Sequence, residues 1–395
     1  MNTNDFFVYV LPVSGGAIVS HLALLQVIYD ARINALNGVK KGYFSYAPNL
    51  VLGSSGGNIS SFIGQASDWS SDGITRNVQV INSKLFLKKW IPEELSLIPD
   101  IPFFLMKGSL YNSGIGARQL FNELFTQTTI QRSEIWLGTY DIKHKKAQFF
   151  CNKSQADSYI TEPFFNEEQS LYYAMPLIFT EGNINKLADI CIASATIPAV
   201  VPSQVIDGIP YADGGVMYAS PLSVLHKEVL RIVTGKERVP ISKSFQPEVN
   251  TETNTEFIYS ERKDTTEKNL RMIYFLPYQP NGLRYSYESK DIGIKTYLDS
   301  ILNVIMMHDR NTAIELLNIL SPEGLETESF ISVDTDILTN ILKTLSKRKH
   351  YLITLFPHKN PSINIAHADG EKILEAMNIV KEGYGAQVWY SKRSL

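Results

Sequence analysis

The chain has 395 residues, of which 44% are hydrophobic and 19% are charged, and its formal net charge is -3. These values are typical of a globular chain with a large core and exclude a disordered one. The slightly acidic balance argues against general nucleic-acid binding, so we expect no nucleic-acid partner. The two cysteines, Cys151 and Cys191, are too few for a disulfide framework or a four-cysteine zinc site. We therefore expect both to be reduced and structural, and we expect no metal.

The first residues of the chain and the length of its apolar runs indicate where in the cell the protein is expected. The residues before the first apolar run are polar and lack the basic start and cleavage site of a signal peptide. No uninterrupted apolar run approaches the roughly 18 residues of a membrane span. We expect a single domain over residues 1–395 that is cytoplasmic or peripherally bound to a membrane. The sequence predicts no particular oligomeric state.

Two apolar runs, each followed by a glycine turn and a helix, open the chain. Residues 6–11 are rich in aromatic and β-branched side chains, which is typical of a strand buried on both faces. The turn at Gly15 and Gly16 and an apolar helix follow, and a second strand at 49–52 leads into a second turn and helix. This repetition indicates a βαβ unit in a three-layer α/β/α fold with a mostly parallel central sheet.

The second turn, Gly53-Ser54-Ser55-Gly56-Gly57, has the pattern Gly-x-Ser-x-Gly with Ser55 at its centre. A tight turn from a strand to a helix exposes one hydroxyl above the sheet edge and directs the first N–H groups of the helix toward it. Gly53 and Gly57 allow the strained backbone and the close approach that such a turn requires. Glycine and serine are also ordinary loop residues, so the turn alone does not define a nucleophile.

The segment 69–110 is apolar but irregular, because Pro92, Pro99 and Pro102 forbid one long helix. We expect an irregular cap whose apolar side chains pack on the core. The alternative is that residues 85–106 form a lid or an acyl-chain surface that meets a membrane.

The middle of the chain brings a second candidate residue. The sequence predicts a helix cap at 111–114, a β-hairpin over 134–151, a helix over 187–197 and a strand pair over 205–213. The strand pair delivers Asp213 into a turn at Gly214 and Gly215, and a helix starts near Pro221. Ser194 is expected to pack within its own helix.

A polar segment separates the motif-bearing part from the C-terminal part of the chain. Residues 234–270 are charged and rich in threonine, asparagine, serine and glutamate, which predicts a solvated, flexible insertion. Within the remaining part, 271–395, predicted strands at 272–276 and 351–356 and helices at 291–320 and 370–380 are interpreted as a sheet edge and outer helices.

A serine hydroxyl is a weak nucleophile until a base accepts its proton. In an α/β-hydrolase triad that base is a histidine late in the chain, and the late histidines are His308, His350, His358 and His367. In the other interpretation Asp213 acts directly, since a carboxylate held by a glycine turn after a strand can reach the serine. An unperturbed aspartate, with a pKa of about 3.9, is a poor base at neutral pH. Burial would have to raise that pKa, or the site would have to stabilise the transition state strongly.

Four motifs stand in a fixed order: Gly-Gly after the first strand, Gly-x-Ser-x-Gly after the second, Ala-Ser-Ala-x-x-Pro before a strand, and Asp-Gly-Gly beyond it. This set resembles the patatin-like phospholipases over residues 5–225, with residues 192–221 as the closest part. The resemblance implies a patatin-like fold and a Ser-Asp dyad without a histidine, a metal or a cofactor. By position it implies Ser55 as the nucleophile, Asp213 as the general base and a covalent acyl-enzyme. The implied substrates are ester bonds of phospholipids or other acyl lipids.

The same resemblance assigns the oxyanion to backbone N–H groups of Gly15, Gly16 and Ala17. The family has a third glycine before this pair, and a basic residue and a glycine after it; the chain has instead Ser14, Ile18 and Val19. Backbone donors do not depend on side-chain identity, so the fold and the dyad are expected regardless. The departures put the level of activity in question. The alternative hypothesis is therefore a patatin-fold lipid-binding or scaffold protein with impaired catalysis.

Overall fold

The computed structural model describes residues 4–14, 17–36, 47–80, 87–89, 111–113, 133–151, 172–176, 184–196, 202–239, 258–261, 267–280, 294–359 and 369–392. The helices in these ranges are α1 Ile18–Ala35, α2 Gly56–Ala66, α3 Ser71–Gln79, α4 Ile184–Ser194, α5 Leu222–Thr234, α6 Ile294–Ile319, α7 Thr335–Leu345 and α8 Gly370–Glu382. The strands are β1 Asp5–Leu11, β2 Leu50–Ser54, β3 Leu87–Lys89, β4 Tyr111–Ser113, β5 Glu134–Asp141, β6 Lys146–Cys151, β7 Tyr172–Pro176, β8 Gln204–Ile206, β9 Ile209–Asp213, β10 Lys236–Val239, β11 Ile258–Glu261, β12 Asn269–Phe275, β13 Leu325–Val333, β14 Tyr351–Pro357 and β15 Tyr384–Ser391.

One mixed sheet runs through the molecule in the order β13-β15-β14-β12-β1-β2-β5-β6-β7, with β9 paired to β5 and β8 paired to β9. The five adjacent strands β14, β12, β1, β2 and β5 are parallel. The pairs β5–β6, β14–β15 and β13–β15 are antiparallel. The predicted mostly parallel central sheet is confirmed.

Two apolar cores, one on each face of the sheet, produce the three layers. Successive side chains of a strand point to opposite faces. Accordingly, Tyr9 and Leu11 of β1 belong to one core, while Val8 and Val10 belong to the other. Helices α1, α2, α3, α4, α7 and α8 cover the first face, and α5 and α6 cover the second. The predicted α/β/α sandwich is therefore confirmed.

Helix α1 is the central helix of the first face. It packs against α2, α3, α7 and α8 as well as against the sheet. A helix that is surrounded in this way is apolar on all sides instead of along one stripe. Its buried positions accordingly include nearly every residue from Ile18 to Ile28.

The C-terminal part differs from its prediction. The sequence predicts a sheet edge and outer helices there, but β12 lies between β1 and β14 in the interior of the sheet. This assignment was wrong because a buried parallel strand at an edge and one in the middle have the same apolar sequence. Strand β13, helix α7 and strand β15 had no counterpart in the prediction.

Three smaller differences concern the segments around the core. Helix α3 occupies part of the segment predicted as an irregular cap, and it ends well before the first proline of that segment. Residues 111–113 form a strand that pairs with β3, and the helix predicted after them lies outside the described residues. The predicted polar insertion contains the antiparallel pair β10–β11. Except for β3, residues 85–106, for which a lipid-facing surface is the alternative to a packed cap, lie outside the described residues. Among the helices that the structure describes, none is both long and apolar enough to cross a bilayer.

Helix α2 begins in contact with the end of β1. A Cβ atom built on Gly57 would lie 1.9 Å from the carbonyl oxygen of Leu11 and 2.6 Å from that of Pro12. Both atoms belong to the backbone of the central strand and its exit, so neither can move aside as a side chain would. Gly57 thus sets how closely the helix that follows Ser55 approaches β1.

We expect Gly57→Ala to lower the free energy of unfolding by about 1–3 kcal/mol, the usual cost of overpacking. Helix propensity alone would favour alanine by about 1 kcal/mol, so a loss must come from the contact with β1. Urea unfolding followed by circular dichroism measures it. Ser60→Ala, in the same helix, adds no atom and removes one bond to Gly56 O, so we expect a smaller effect. Equal stability of the two variants would contradict the prediction.

Candidate active site

The strands around β5 bring two distant parts of the chain to one point. Strand β2 runs parallel to β5 and pairs Ser54 with Gly138. Strand β9 runs antiparallel to β5 and pairs Asp213 with Thr139. Strand β6 occupies the other edge of β5, so β2 and β9 lie end to end on the same edge. Because Gly138 and Thr139 are consecutive, the last residues of β2 and β9 meet there.

Ser55 is the residue between β2 and α2. Its backbone has φ 54° and ψ -128°, a conformation that is strained for a residue with a side chain. This geometry turns the chain sharply and directs the hydroxyl away from the strand, as the Gly-x-Ser-x-Gly pattern predicts. Ser55 is 2% exposed, and its Oγ donates a hydrogen bond of 2.6 Å to Oδ2 of Asp213.

Asp213 is the last residue of β9 and is 3% exposed. One carboxylate oxygen, Oδ2, accepts the bond from Ser55, and the other, Oδ1, accepts a bond of 2.7 Å from the backbone N–H of Gly215. Burial raises the pKa of Asp213 to about 7, against the opposing effect of these two hydrogen bonds. A carboxyl group with that pKa is half ionised near neutral pH, which suits it to general base catalysis.

The predicted glycines surround this pair. Gly214 and Gly215 begin a short 3-10 turn after β9, and a Cβ on Gly214 would lie 2.6 Å from the carbonyl oxygen of Gly138. Gly53 lies in β2, packed against the side chains of Ser61 and Asn58 in α2. These close contacts let the turn after Asp213 and the helix after Ser55 pack directly against the central strands.

The predicted oxyanion loop is described only in part. Gly15 and Gly16 lie outside the described residues. The N–H of Ala17 donates to the carbonyl oxygen of Ser14 at 2.9 Å, so this amide is engaged in a turn and does not face an oxyanion in this structure. The N–H groups of Gly56 and Gly57, the first two of α2, have no carbonyl acceptor within the helix, as at every helix start. They follow Ser55 directly and are therefore further candidate donors.

The residues before the predicted oxyanion loop are bonded to the segment after Asp213. The N–H of Val13 donates to the carbonyl oxygen of Ala219 at 2.7 Å. The hydroxyl of Tyr278 donates to the carbonyl oxygen of Ser14 at 3.1 Å. The segment after Asp213 thus helps to hold Val13, two residues before Gly15.

Comparison with known proteins gives one match at the level of families. The sequence model of the patatin-like phospholipases matches residues 4–226, which is more than half of the chain. The chain belongs to the patatin-like phospholipase family. No individual curated protein matches it significantly. Family membership indicates a lipid acyl hydrolase, an enzyme class that cleaves ester bonds of acyl lipids. The matched range includes both Ser55 and Asp213.

In this patatin-like phospholipase, Ser194 has a position that the sequence did not predict. The expectation that it packs only within its helix was wrong. Its Oγ accepts a bond of 3.0 Å from the backbone N–H of Ser55 and donates one of 2.7 Å to the carbonyl oxygen of Gly138. The side chain amide of Asn58 donates to the same Oγ. The one available signal was the Ala-Ser-Ala-x-x-Pro motif, which places a hydroxyl at a helix end among small residues.

The late histidines do not contact Ser55 within the described part of this family member. His308 lies on an exposed face of α6. His350 precedes β14. Its Nδ1 accepts a bond from the N–H of Leu270 near the N-terminal end of β12, whereas Ser55 follows the C-terminal end of β2. His358 follows β14 and stacks on Phe356. His367 lies outside the described residues.

The described ranges also hold no cluster of three or more metal-ligating side chains.

The raised pKa of Asp213 makes the stability of the fold depend on pH. In the folded state the carboxyl group of Asp213 stays protonated up to about pH 7, whereas an aspartate of the unfolded chain loses its proton near pH 3.9. Between these values the folded state binds more protons, so the free energy of unfolding falls as pH rises. Asp213→Asn removes this contribution. We expect the stability of wild type relative to Asp213→Asn to decrease from pH 5 to pH 8, measured by urea unfolding.

Ser55→Ala is the matched control, because it keeps the buried carboxyl group and removes only its neighbour. We expect it to lose stability over the same pH range as wild type does. Parallel stability profiles of wild type and Asp213→Asn between pH 5 and pH 8 would show that the pKa of Asp213 is not raised.

Proposed function

We propose that this chain is a lipid acyl-ester hydrolase of the phospholipase A or lysophospholipase type with a catalytic Ser55–Asp213 dyad. The observation that carries the proposal is the bond of 2.6 Å from Ser55 Oγ to the buried carboxylate of Asp213. It supports an aspartate base over a late histidine. Family membership supplies the reaction class.

In the first step Ser55 Oγ attacks the carbonyl carbon of the ester, and its proton passes to Oδ2 of Asp213. The negative charge that forms on the carbonyl oxygen is stabilised by backbone N–H groups, for which we propose the loop at Gly15 and Gly16 and the start of α2. The intermediate then collapses. The alcohol leaves with the proton from Asp213, and the acyl group stays on Ser55 as an ester.

In the second step a water molecule attacks this acyl-enzyme while Asp213 accepts a proton from it. The fatty acid leaves, and Ser55 Oγ takes the proton back from Asp213. One carboxylate thus serves as base in both attacks and as acid in both collapses. The bond from Gly215 N to Oδ1 supports this role, because it leaves Oδ2 directed at the nucleophile.

Apolar side chains close to the dyad support an acyl lipid as the substrate. Val216 and Met217 come directly after the turn of the base and are 47% and 48% exposed. Apolar groups in this position favour a hydrocarbon chain over a polar substrate. We propose that these two side chains contribute to the surface that contacts a phospholipid or a membrane.

A lipid-binding or scaffold protein with impaired catalysis is the second candidate. The bond that engages the Ala17 N–H favours it, as do Ile18 and Val19, which replace a basic residue and a glycine of the family pattern. Covalent labelling of Ser55 by a fluorophosphonate separates the two candidates, because only an activated serine reacts. An unlabelled, well-folded protein would favour the second.

We expect Ser55→Ala to abolish hydrolysis and Asp213→Asn to lower it by about 10²–10⁴-fold, the usual contribution of a general base. A panel of phospholipids and lysophospholipids, with released fatty acid as the readout, measures both the activity and the preferred ester. Asp141→Asn is the matched control. Asp141 is also buried at the end of a strand, and its carboxylate accepts from His144 N. Full activity in folded Asp213→Asn would overturn the dyad.

The pKa of about 7 for Asp213 also predicts how the rate depends on pH. Only the ionised carboxylate can accept the proton of Ser55, so kcat/KM should increase about tenfold per pH unit below pH 7 and level off above it. The rate of fluorophosphonate labelling should follow the same curve. A flat profile from pH 5 to pH 8 would contradict Asp213 as the base.

A further inference from the structure

The end of helix α4 lies beside both members of the dyad. Ser194, its last residue, accepts a hydrogen bond of 3.0 Å from the backbone N–H of Ser55. Two residues later, the carbonyl oxygen of Thr196 accepts one of 3.2 Å from the backbone N–H of Asp213. One short segment thus holds the backbone of the nucleophile and that of the base.

The hydroxyl of Ser194 is fully occupied by this arrangement. A serine hydroxyl has one proton to donate and two lone pairs that accept. Ser194 donates its proton to the carbonyl oxygen of Gly138 and accepts from Ser55 N–H and from the amide group of Asn58. Asn58 also donates to Gly138 O at 3.2 Å. Any rotation of the Ser194 hydroxyl would break at least one of these bonds, so the bonds fix its orientation.

Local hydrogen bonds hold the residues that join these two contacts. The N–H groups of Ala195 and Thr196 donate to Ile192 and Ala193 at the end of α4, and the Thr196 hydroxyl donates to Ala193 O at 2.6 Å. Ser194 and Thr196 are both buried. The separation of the two acceptors is therefore set by the local backbone of the segment 194–196.

The contact with Ser55 also bears on the strained backbone of the nucleophile. A serine with φ 54° persists only where surrounding contacts hold it, because such conformations cost about 1–3 kcal/mol. The bond from Ser55 N–H to Ser194 is such a contact. It also uses that N–H group, so the oxyanion donors have to come from other amides.

We propose that Ser194 and Thr196, together the 194–196 bracket, are positioning residues that keep Ser55 Oγ within proton-transfer distance of Asp213. The inference rests on the proposed function. A displacement of the nucleophile by about 1 Å is enough to cost a factor of about 10² in rate. The bracket prevents that displacement, because the same short segment accepts hydrogen bonds from the backbone N–H groups of both Ser55 and Asp213.

Ser194→Ala tests the proposal. It removes the acceptor of Ser55 N–H and leaves that buried donor without its partner. We expect kcat to fall by at least about tenfold with KM within about twofold of wild type, because substrate contacts are unchanged. Hydrogen exchange at the Ser55 amide, measured by mass spectrometry, should become faster. Thr196→Val, which removes the bond to Ala193 O, should lower kcat in the same way.

Two variants separate positioning from general stability. Ser194→Thr keeps the hydroxyl and should restore most of kcat and the slow exchange. Ser60→Ala removes a buried hydroxyl that bonds only within α2, to Gly56 O, and should leave both readouts as in wild type. A purely structural role of Ser194 would lower the unfolding temperature while kcat of the folded protein stayed the same.

The outcomes distinguish this proposal from the dyad itself. Wild-type kcat and unchanged exchange at Ser55 in Ser194→Ala would overturn the bracket, while inactive Ser55→Ala would leave the dyad in place. If the wild-type protein hydrolyses no lipid, the proposed function fails and the exchange rate alone decides. Faster exchange at the Ser55 amide then supports the bracket, and unchanged exchange overturns it.

Discussion

The pairing of β2 and β9 along one edge of β5 is the constraint on which the site depends. It brings together two side chains that are 158 residues apart in sequence, and it does so through backbone hydrogen bonds of the sheet. Each strand needs only to end at the right residue, and each is followed by small residues that turn the chain. The relative position of Ser55 and Asp213 is thus set by the pairing of the central sheet.

The burial that raises the pKa of Asp213 also makes its charged form costly to the fold. A carboxylate is less stable in an apolar interior than in water, which is why burial raises the pKa. Two hydrogen bonds, from Ser55 and Gly215, offset part of that cost. The three-layer fold, with an apolar core on each face of the sheet, supplies the environment in which one carboxylate is poised near neutral pH.

The sequence was informative where structure is local. Continuous apolar runs predicted β1 and β2. The pairing of Ser55 with Asp213, 158 residues apart, was expected only through the resemblance to the patatin-like phospholipases. The sequence was not informative where position depends on distant partners. The interior place of β12 follows from its pairing with β1, and β13 is mostly exposed, so it lacks an apolar pattern. Ser194 contacts a backbone amide 139 residues away, which no local pattern records.

The pairing of β1 with β12 has a consequence for how the chain folds during synthesis. Asp5 lies opposite Asn269, so the central strand lacks one neighbour until more than half of the protein has been made. The family match ends at residue 226, before β12 begins. A nascent chain of that length would expose an apolar strand edge, which is prone to aggregation. The motif-bearing half therefore completes the pairing of its central strand only after β12 has been made.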